Sequence, residues 1–242
     1  MNWLAETHPD LEGGDQVGVD EAGRGSFWGP LVAAAVILPR IGDLEHTHPL
    51  RENVLLIKDS KKLSEKRRLK IYDIIMEHAV AVGIGRVEAA EVDQKNAFWA
   101  NSVAFRRALD DCVKDYVKRR PTNPWPQSYG VILDGHLPLP DCRPGESHVN
   151  VENGDALYLP VAAASIVAKV THDHIIEDWC VAHPREAAVY ALATSKGYGT
   201  AAHRAALQRH GPLQDHRLSY LKKTVPSAAL RGPEIMDEED VN

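Results

Sequence analysis

The sequence predicts an α/β domain, a central sheet with helices packed on its faces. Short runs rich in Val, Ile and Ala recur along the chain, among them "VGVDEA" and "PLVAAAVIL". Stretches with helical apolar spacing separate them. The chain has 242 residues, 44% apolar and 26% charged, which suits one large domain with a sizeable core.

The elements follow in order. Residues 16–20 and 30–38 read as buried strands, short and apolar. Residues 39–53, "PRIGDLEHTHPLREN", are polar and read as a loop. Ser64 is placed to cap a helix whose face runs Leu69, Tyr72, Met76, Ala79. A strand follows over 80–87, then a long helix over 95–118 that stops before Pro121. "PTNPWPQ" is a turn-rich connection. Tyr129–Asp134 reads as an apolar strand ending in Asp-Gly, and 136–150, with its prolines, as a loop. Residues 160–182 read as a helix of small residues, whose "VAAAS" run lets it lie close to the sheet. From about 184 to 225 the chain is helical and basic, and from Pro226 it is an acidic tail expected to be disordered. The expected domains are therefore 15–183, 184–225 and the tail 226–242.

Composition narrows the function classes. No apolar run reaches the roughly 20 residues of a membrane span, and the N-terminus lacks the basic start and apolar core of a signal peptide. Cys112, Cys142 and Cys180 are widely spaced, giving neither a disulfide framework nor a zinc pattern. A reduced, cytoplasmic protein is expected. The net charge of −6 counts against a nucleic-acid partner, but five acids fall in the last nine residues. Ser195–Lys223 holds Lys196, Arg204, Arg209, Arg217, Lys222 and Lys223 against Asp215 alone, and Lys58–Lys70 is also basic. Local positive surface beside acids suits a phosphate polymer held over a metal site, although lysine-rich helices can equally be solvated faces.

The acids carry the chemistry. In "VGVDEAGRG", Asp20 and Glu21 fall on opposite faces of a strand. For both to reach one site the strand must end or bulge there, and Gly23 and Gly25 allow the bend. "YGVILDG" is a second apolar strand ending in an acid, Asp134, and Asp155 stands in a loop before a helix. Oxygen ligands with no His/Cys pattern suit a hard ion, Mg²⁺ or Mn²⁺. Each acid also has a local structural account: Glu21 as a turn residue paired with Arg24, Asp134 as the start of an Asp-Gly turn, Asp155 as a helix cap. Spacing alone leaves these alternatives open. Lys169 and Asp173 read as a surface i,i+4 pair, and none of the twelve histidines has ligand spacing.

Five blocks in order resemble the ribonuclease HII family: "GVDEAGRG…GPLVAAAVILP", "DSKKLSEKRR", "ILDG", "GDALYLPVAAASIVAKVTHDH" and "KGYGTAAHRAALQRHGP". The resemblance covers most of residues 17–220. It implies a ribonuclease H-like fold, a five-stranded mixed sheet flanked by helices, with a small C-terminal helical segment. It implies an endonuclease that cuts the RNA strand of RNA–DNA hybrids and nicks 5′ of single ribonucleotides in duplex DNA, leaving 5′-phosphate and 3′-hydroxyl ends. That activity belongs to ribonucleotide excision repair.

Carried over by position, the family's metal-binding and catalytic acids fall on Asp20, Glu21, Asp134 and Asp155. Two divalent ions, Mg²⁺ or Mn²⁺, would be shared among them, with Asp20 bridging. The glycine-arginine-glycine motif that reads the ribose falls on Gly23, Arg24 and Gly25, and the substrate-sensing tyrosine on Tyr198. Lys61 and Lys196 are expected to meet phosphates, as is Lys62. The related ribonuclease HIII family usually has threonine where Arg24 stands and carries an extra N-terminal domain. Only 16 residues precede Val17 here, which favours type HII. The chain departs from the pattern at Phe27-Trp28, His136, Asn153 and Ser195. The stretches 41–53 and 136–150 look longer than in compact members. The expected partner is nucleic acid alone, bound by a monomer. A non-catalytic hybrid binder would be expected to lack one or more of the acids. A Mg²⁺-dependent phosphatase of small molecules would not need the basic stretches.

Overall fold

The computed structural model describes residues 3–11, 16–58 and 60–225; the acidic tail lies outside the described residues. Five strands form one mixed sheet: β1 (Gln16–Ala22), β2 (Leu31–Ile37), β3 (Ala81–Val87), β4 (Tyr129–Asp134) and β5 (Glu146–Val151), in the order β3-β2-β1-β4-β5. β1, β2 and β3 pair antiparallel, whereas β4 lies parallel to both β1 and β5. The helices are α1 (Pro49–Asn53), α2 (Glu65–His78), α3 (Ala89–Lys95), α4 (Ala97–Arg119), α5 (Leu159–Ala182), α6 (Pro184–Val189), α7 (Leu192–Ser195), α8 (Ala201–His210) and α9 (Leu218–Leu221). Among the described residues no helix is long and apolar enough to cross a membrane.

Every residue of β2 is buried, as a strand covered on both faces must be. On one face Val17, Val19, Ala33, Ala35 and Leu133 pack against Phe105, Ala108 and Leu109 of α4. On the other, Ala34 and Val36 pack against Ala162, Ala163 and Ile166 of α5, with Ile71 and Ile75 of α2 behind. Each fully buried Val, Leu or Ile here contributes about 1.5–3 kcal/mol. The first half of α5, Leu159–Ala168, is buried on every side, so it is a core helix rather than an amphipathic one.

The small residues of α5 do bring it close to the sheet. A Cβ on Gly18 would stand 2.1 Å from the carbonyl carbon of Pro160 and 2.3 Å from the Val161 nitrogen. That contact holds the start of α5 against β1, beside the end of β4.

Four features differ from the sequence-based expectation. β5 lies partly within the stretch read as a loop. Its sequence, "ESHVNV", is polar because it is an edge strand, with neither face covered as the central strands are. It is anchored by Glu146, which accepts two hydrogen bonds from Arg106 (2.8 and 2.6 Å) and one from the Tyr129 hydroxyl (2.6 Å). The 39–53 stretch is packed rather than loose: Ile41 and Leu50 are fully buried against α2 and β2. Ser64 stands at the N-cap of α2, but its side chain makes no capping hydrogen bond. β1 neither stops nor bulges at the acids, since its register with β2 runs unbroken through Glu21↔Ala33 and Ala22↔Val32.

The C-terminal helices form their own apolar cluster of Tyr190, Leu192, Leu207 and Leu221, closed by Trp28 and Ile176 from the sheet-bearing part. A buried histidine pair fixes its geometry. His216 Nδ1 accepts from the Leu213 N–H (2.7 Å), so the proton sits on Nε2 and is donated to His203 Nε2 (2.9 Å). His203 Nδ1 in turn donates to the Tyr198 carbonyl (2.9 Å). Burial, with the neighbouring His203, pushes His216 down to about 3, so both rings stay neutral as this chain of donors requires.

Gly18→Ala is expected to cost about 1–3 kcal/mol, because the new methyl drives α5 off β1. Urea unfolding measures it; an unchanged midpoint would contradict the close approach.

Candidate active site

Parallel pairing places the acids. β1 and β4 match Gly18 with Ile132 and Val19 with Leu133, so continuing the register by one residue sets Asp134 beside Asp20. Both then face α5, as Gly18 and Ile132 do. Asp20 is 5% exposed and hydrogen-bonds Ser165 of α5 and the Glu21 N–H, the latter at 2.7 Å. Asp134 Oδ1 accepts from the Gly154 N–H at 2.7 Å. Asp155 is the next residue, half-buried in the turn Gly154–Ala156, which follows Asn153 in the left-handed region.

Glu21 points the other way, toward α4. Asn101, with no exposure, directs its amide at Glu21 and lowers the acid's pKa, but neither amide atom closes a full hydrogen bond. Arg24 Nη1 lies 3.9 Å from Glu21 Oε1, so the local pairing foreseen for that acid is also present. The alternation of the strand is thus kept, and the long Glu21 side chain reaches the shared edge from the opposite face.

Burial raises the Asp20 carboxyl well above its ordinary range, and the charges of Glu21 and Asp134 raise it further; Ser165 and the Glu21 N–H act against them. Glu21 is raised by burial too, against Asn101, Arg24 and Lys61. Asp20, Glu21 and Asp134 therefore form one electrostatic group, while Asp155 stands beside the amide that binds Asp134. Buried carboxylates that repel one another need a cation to stay ionised. Among the described residues no group of three His, Cys, Asp or Glu side chains forms a ready-made metal cage. A hard ion such as Mg²⁺ keeps several waters and takes phosphate oxygens beside one or two carboxylates, which is the donor type Asp20, Glu21 and Asp134 offer.

Next to the acids is an open cleft whose walls include Glu21, Arg24, Lys61, Ser165, Lys169 and Tyr198. Gly23 and Gly25 line it as well. Gly23 has φ +78°, and a Cβ there would lie 2.4 Å from the His172 ring. Gly25 has nothing within 4 Å of where its Cβ would be, so packing does not explain that glycine, and the space beside it is open.

The loop is held on two sides. Phe27 N–H donates to Gly197 O (2.8 Å), and the Gly23 N–H donates to the Tyr198 hydroxyl (3.3 Å). Gly29 N–H donates to Asp215 O (2.9 Å), and Arg217 N–H to Phe27 O (2.8 Å).

The cations divide. Lys61 is exposed on the turn Ser60–Lys62, and Ser60 hydrogen-bonds Ser165 at 3.0 Å, tying that turn to α5. Lys196 pairs with Glu177 and is not among the residues lining the cleft. Arg217, counted as positive surface from the sequence, is fully buried. Lys169 and Asp173 are paired at 2.7 Å, but 20% and 14% exposed rather than on the surface. Asp173 also meets His172 Nδ1 (3.1 Å) and Arg68 (4.0 Å), and Lys169 lies 5.4 Å from the centre of the Tyr198 ring.

Sequence reading missed Ser165, Asn101, Lys169 and His172. The usable signal was a polar residue on the buried side of a helix: Asn101 and Ser165 both interrupt otherwise apolar faces.

Comparison with known proteins bears on the family and the fold. The family model for Ribonuclease HII matches residues 17–223. The ribonuclease HII of Fusobacterium nucleatum is 42% identical over 216 residues, covering 88% of this chain and 89% of that protein. Among solved structures, the ribonuclease H2 of Pyrococcus horikoshii aligns over 85% of this chain and 93% of its own, with TM-score 0.60 and 23% identity. The RNase HII of Archaeoglobus fulgidus, solved in complex with PCNA, aligns over 84% and 93%, with TM-score 0.55 and 26% identity.

Asp20→Asn is expected to stabilise the metal-free protein by about 1–2 kcal/mol, since it removes a buried, repelled charge and keeps a carbonyl acceptor for the Glu21 N–H. Thermal unfolding in chelator checks this; a lower midpoint than wild type would contradict it.

Proposed function

The chain belongs to the ribonuclease HII family, a family of metal-dependent nucleases acting on RNA paired with DNA, and from that premise we propose that it also nicks duplex DNA on the 5′ side of a lone ribonucleotide. The ends left are 5′-phosphate and 3′-hydroxyl. One observation carries the reading: Glu21, the neighbour of Asp20 at the shared end of β1 and β4, lines one cleft with Gly23, Arg24 and Gly25, and Gly25 leaves room there that packing does not require.

Asp20, Glu21, Asp134 and Asp155 would hold two divalent ions, Mg²⁺ or Mn²⁺. When bound, such ions supply charge neutralisation at the scissile phosphate and activation of the attacking water. The chain's own residues do the rest. Only the 2′-hydroxyl separates the target sugar from its neighbours, so selection needs backbone groups that approach a ribose without a Cβ between them. Gly23, Arg24 and Gly25 supply that approach. Arg24 and Lys61 offer charge-assisted donors to phosphate, with Lys169 between Asp173 and the cleft. Tyr198, its hydroxyl already set by the Gly23 N–H, presents its ring to the sugar. Lys196 contributes to the positive surface around the site while held by Glu177. The activity suits removal of ribonucleotides from genomic DNA.

The deciding assay incubates a duplex holding one ribonucleotide with Mg²⁺ or Mn²⁺ and maps the nick; an intact duplex under both ions rejects the proposal. Asp134→Asn, and likewise Asp20→Asn, is expected to reduce cleavage more than about a hundredfold with the circular dichroism spectrum unchanged. Near-normal turnover in either variant would rule out the metal-site assignment. Tyr198→Ala is expected to slow nicking at a lone ribonucleotide about tenfold or more. A normal single-turnover rate on that substrate would leave Tyr198 a structural residue.

A further inference from the structure

The C-terminal segment does more than carry Tyr198. Arg217 has no solvent exposure, yet among the described residues its guanidinium makes no salt bridge with a carboxylate. Its donors go to neutral carbonyls instead. Nε and Nη2 donate to Gly29 O (3.1 and 2.9 Å), and Nη1 donates to Arg24 O (3.0 Å). The Tyr220 hydroxyl donates to the same Arg24 carbonyl at 3.0 Å, and its ring centre lies 5.4 Å from the Arg217 guanidinium. The Arg24 carbonyl thus takes two donors, enough to occupy both lone pairs. The segment is anchored at its other end too: Asp93 of α3 accepts from the Leu218 and Ser219 N–H groups (2.6 and 2.9 Å).

Burying a cation with no carboxylate in salt-bridge contact, only Asp93 acting on it from farther off, is costly, and an apolar side chain of similar size would fill the space more cheaply. What an apolar side chain cannot do is fix two carbonyls of one loop from a single rigid fork. The two carbonyls lie at Arg24, inside the glycine-arginine-glycine turn, and at Gly29, where the loop enters β2.

We infer that Arg217 and Tyr220 are positioning residues for ribose selection, holding the Arg24 carbonyl so that the Gly23–Gly25 backbone meets one 2′-hydroxyl in one orientation. The inference rests on the proposed reading of that loop. Phosphate contacts hold a duplex in any register and carry most of its affinity. A loosened loop therefore costs orientation in the reacting complex rather than binding. A lone ribonucleotide suffers most, because only one register presents a hydroxyl. A continuous RNA strand suffers less, because successive riboses offer further registers.

The test compares wild type, Tyr220→Phe and Arg217→Lys on two duplexes, one with a single ribonucleotide in DNA and one with a continuous RNA strand paired with DNA. Tyr220→Phe keeps the ring and loses one donor. Arg217→Lys keeps the charge and loses the fork. For Tyr220→Phe the expected result on the lone ribonucleotide is a fall in kcat of about tenfold, the worth of one net hydrogen bond. KM stays within about twofold, and the loss on continuous RNA is smaller. Arg217→Lys loses more, in the same pattern. Unchanged kcat in Tyr220→Phe on both duplexes overturns the inference. So does an equal loss on both duplexes that tracks a drop in melting temperature, which would mark a purely structural role. If Arg217→Lys does not fold, Tyr220→Phe alone decides. A wild-type enzyme that cuts continuous RNA but leaves the lone ribonucleotide intact sinks the proposed function itself, and that control is read before any variant.

Discussion

Strands β1 and β4 run parallel, so their C-terminal ends lie side by side, and in the register they adopt Asp20 comes next to Asp134. Much else in the structure answers to that placement. Two carboxylates at adjacent strand ends repel, and burial under α5 makes the repulsion costly. α5 must nevertheless lie close, because it brings Ser165 to Asp20 and its preceding turn brings the Gly154 amide to Asp134. That closeness explains why glycine occupies position 18 and why the helix opposite is built from alanine. The site is thus a local electrostatic deficit held in place by packing elsewhere, the usual exchange of stability for function.

The central strands and the core helix were legible because their chemistry is one-dimensional. An all-apolar run such as 31–37 has one stable fate in a soluble α/β domain, and the α5 run is too long and too buried to be anything but a core helix. β5 was not legible, because an edge strand shows no apolar alternation and is held by Arg106 and Glu146, which lie far apart in sequence. The acids could be picked out one at a time. Their convergence could not, because it depends on a strand pairing that periodicity does not specify, and family resemblance supplied it.

Charge was the least reliable guide. Arg217 reads in sequence as part of a basic surface run and Lys169 as half of a surface ion pair, yet one is sealed inside the loop clamp and the other belongs to a half-buried group with Asp173, His172 and Tyr198. A residue's formal charge says what it can do, and only its surroundings say for whom. For both residues the surroundings come from segments distant in sequence.

The clamp on the Gly23–Gly25 loop spans almost the whole chain: the Gly23–Tyr198 hydrogen bond joins residues 175 apart, and the Arg217–Arg24 bond residues 193 apart. The acids, by contrast, are all present once residue 155 has been made. Chain synthesis therefore delivers the charged cluster well before the segment that holds the Gly23–Gly25 loop, and long-range contacts of this kind are the last to form as a chain folds. A chain ended before Tyr198 would carry the acids with the Gly23–Gly25 loop unclamped. The loop reaches its folded geometry only after α8 and α9 have been added to the chain.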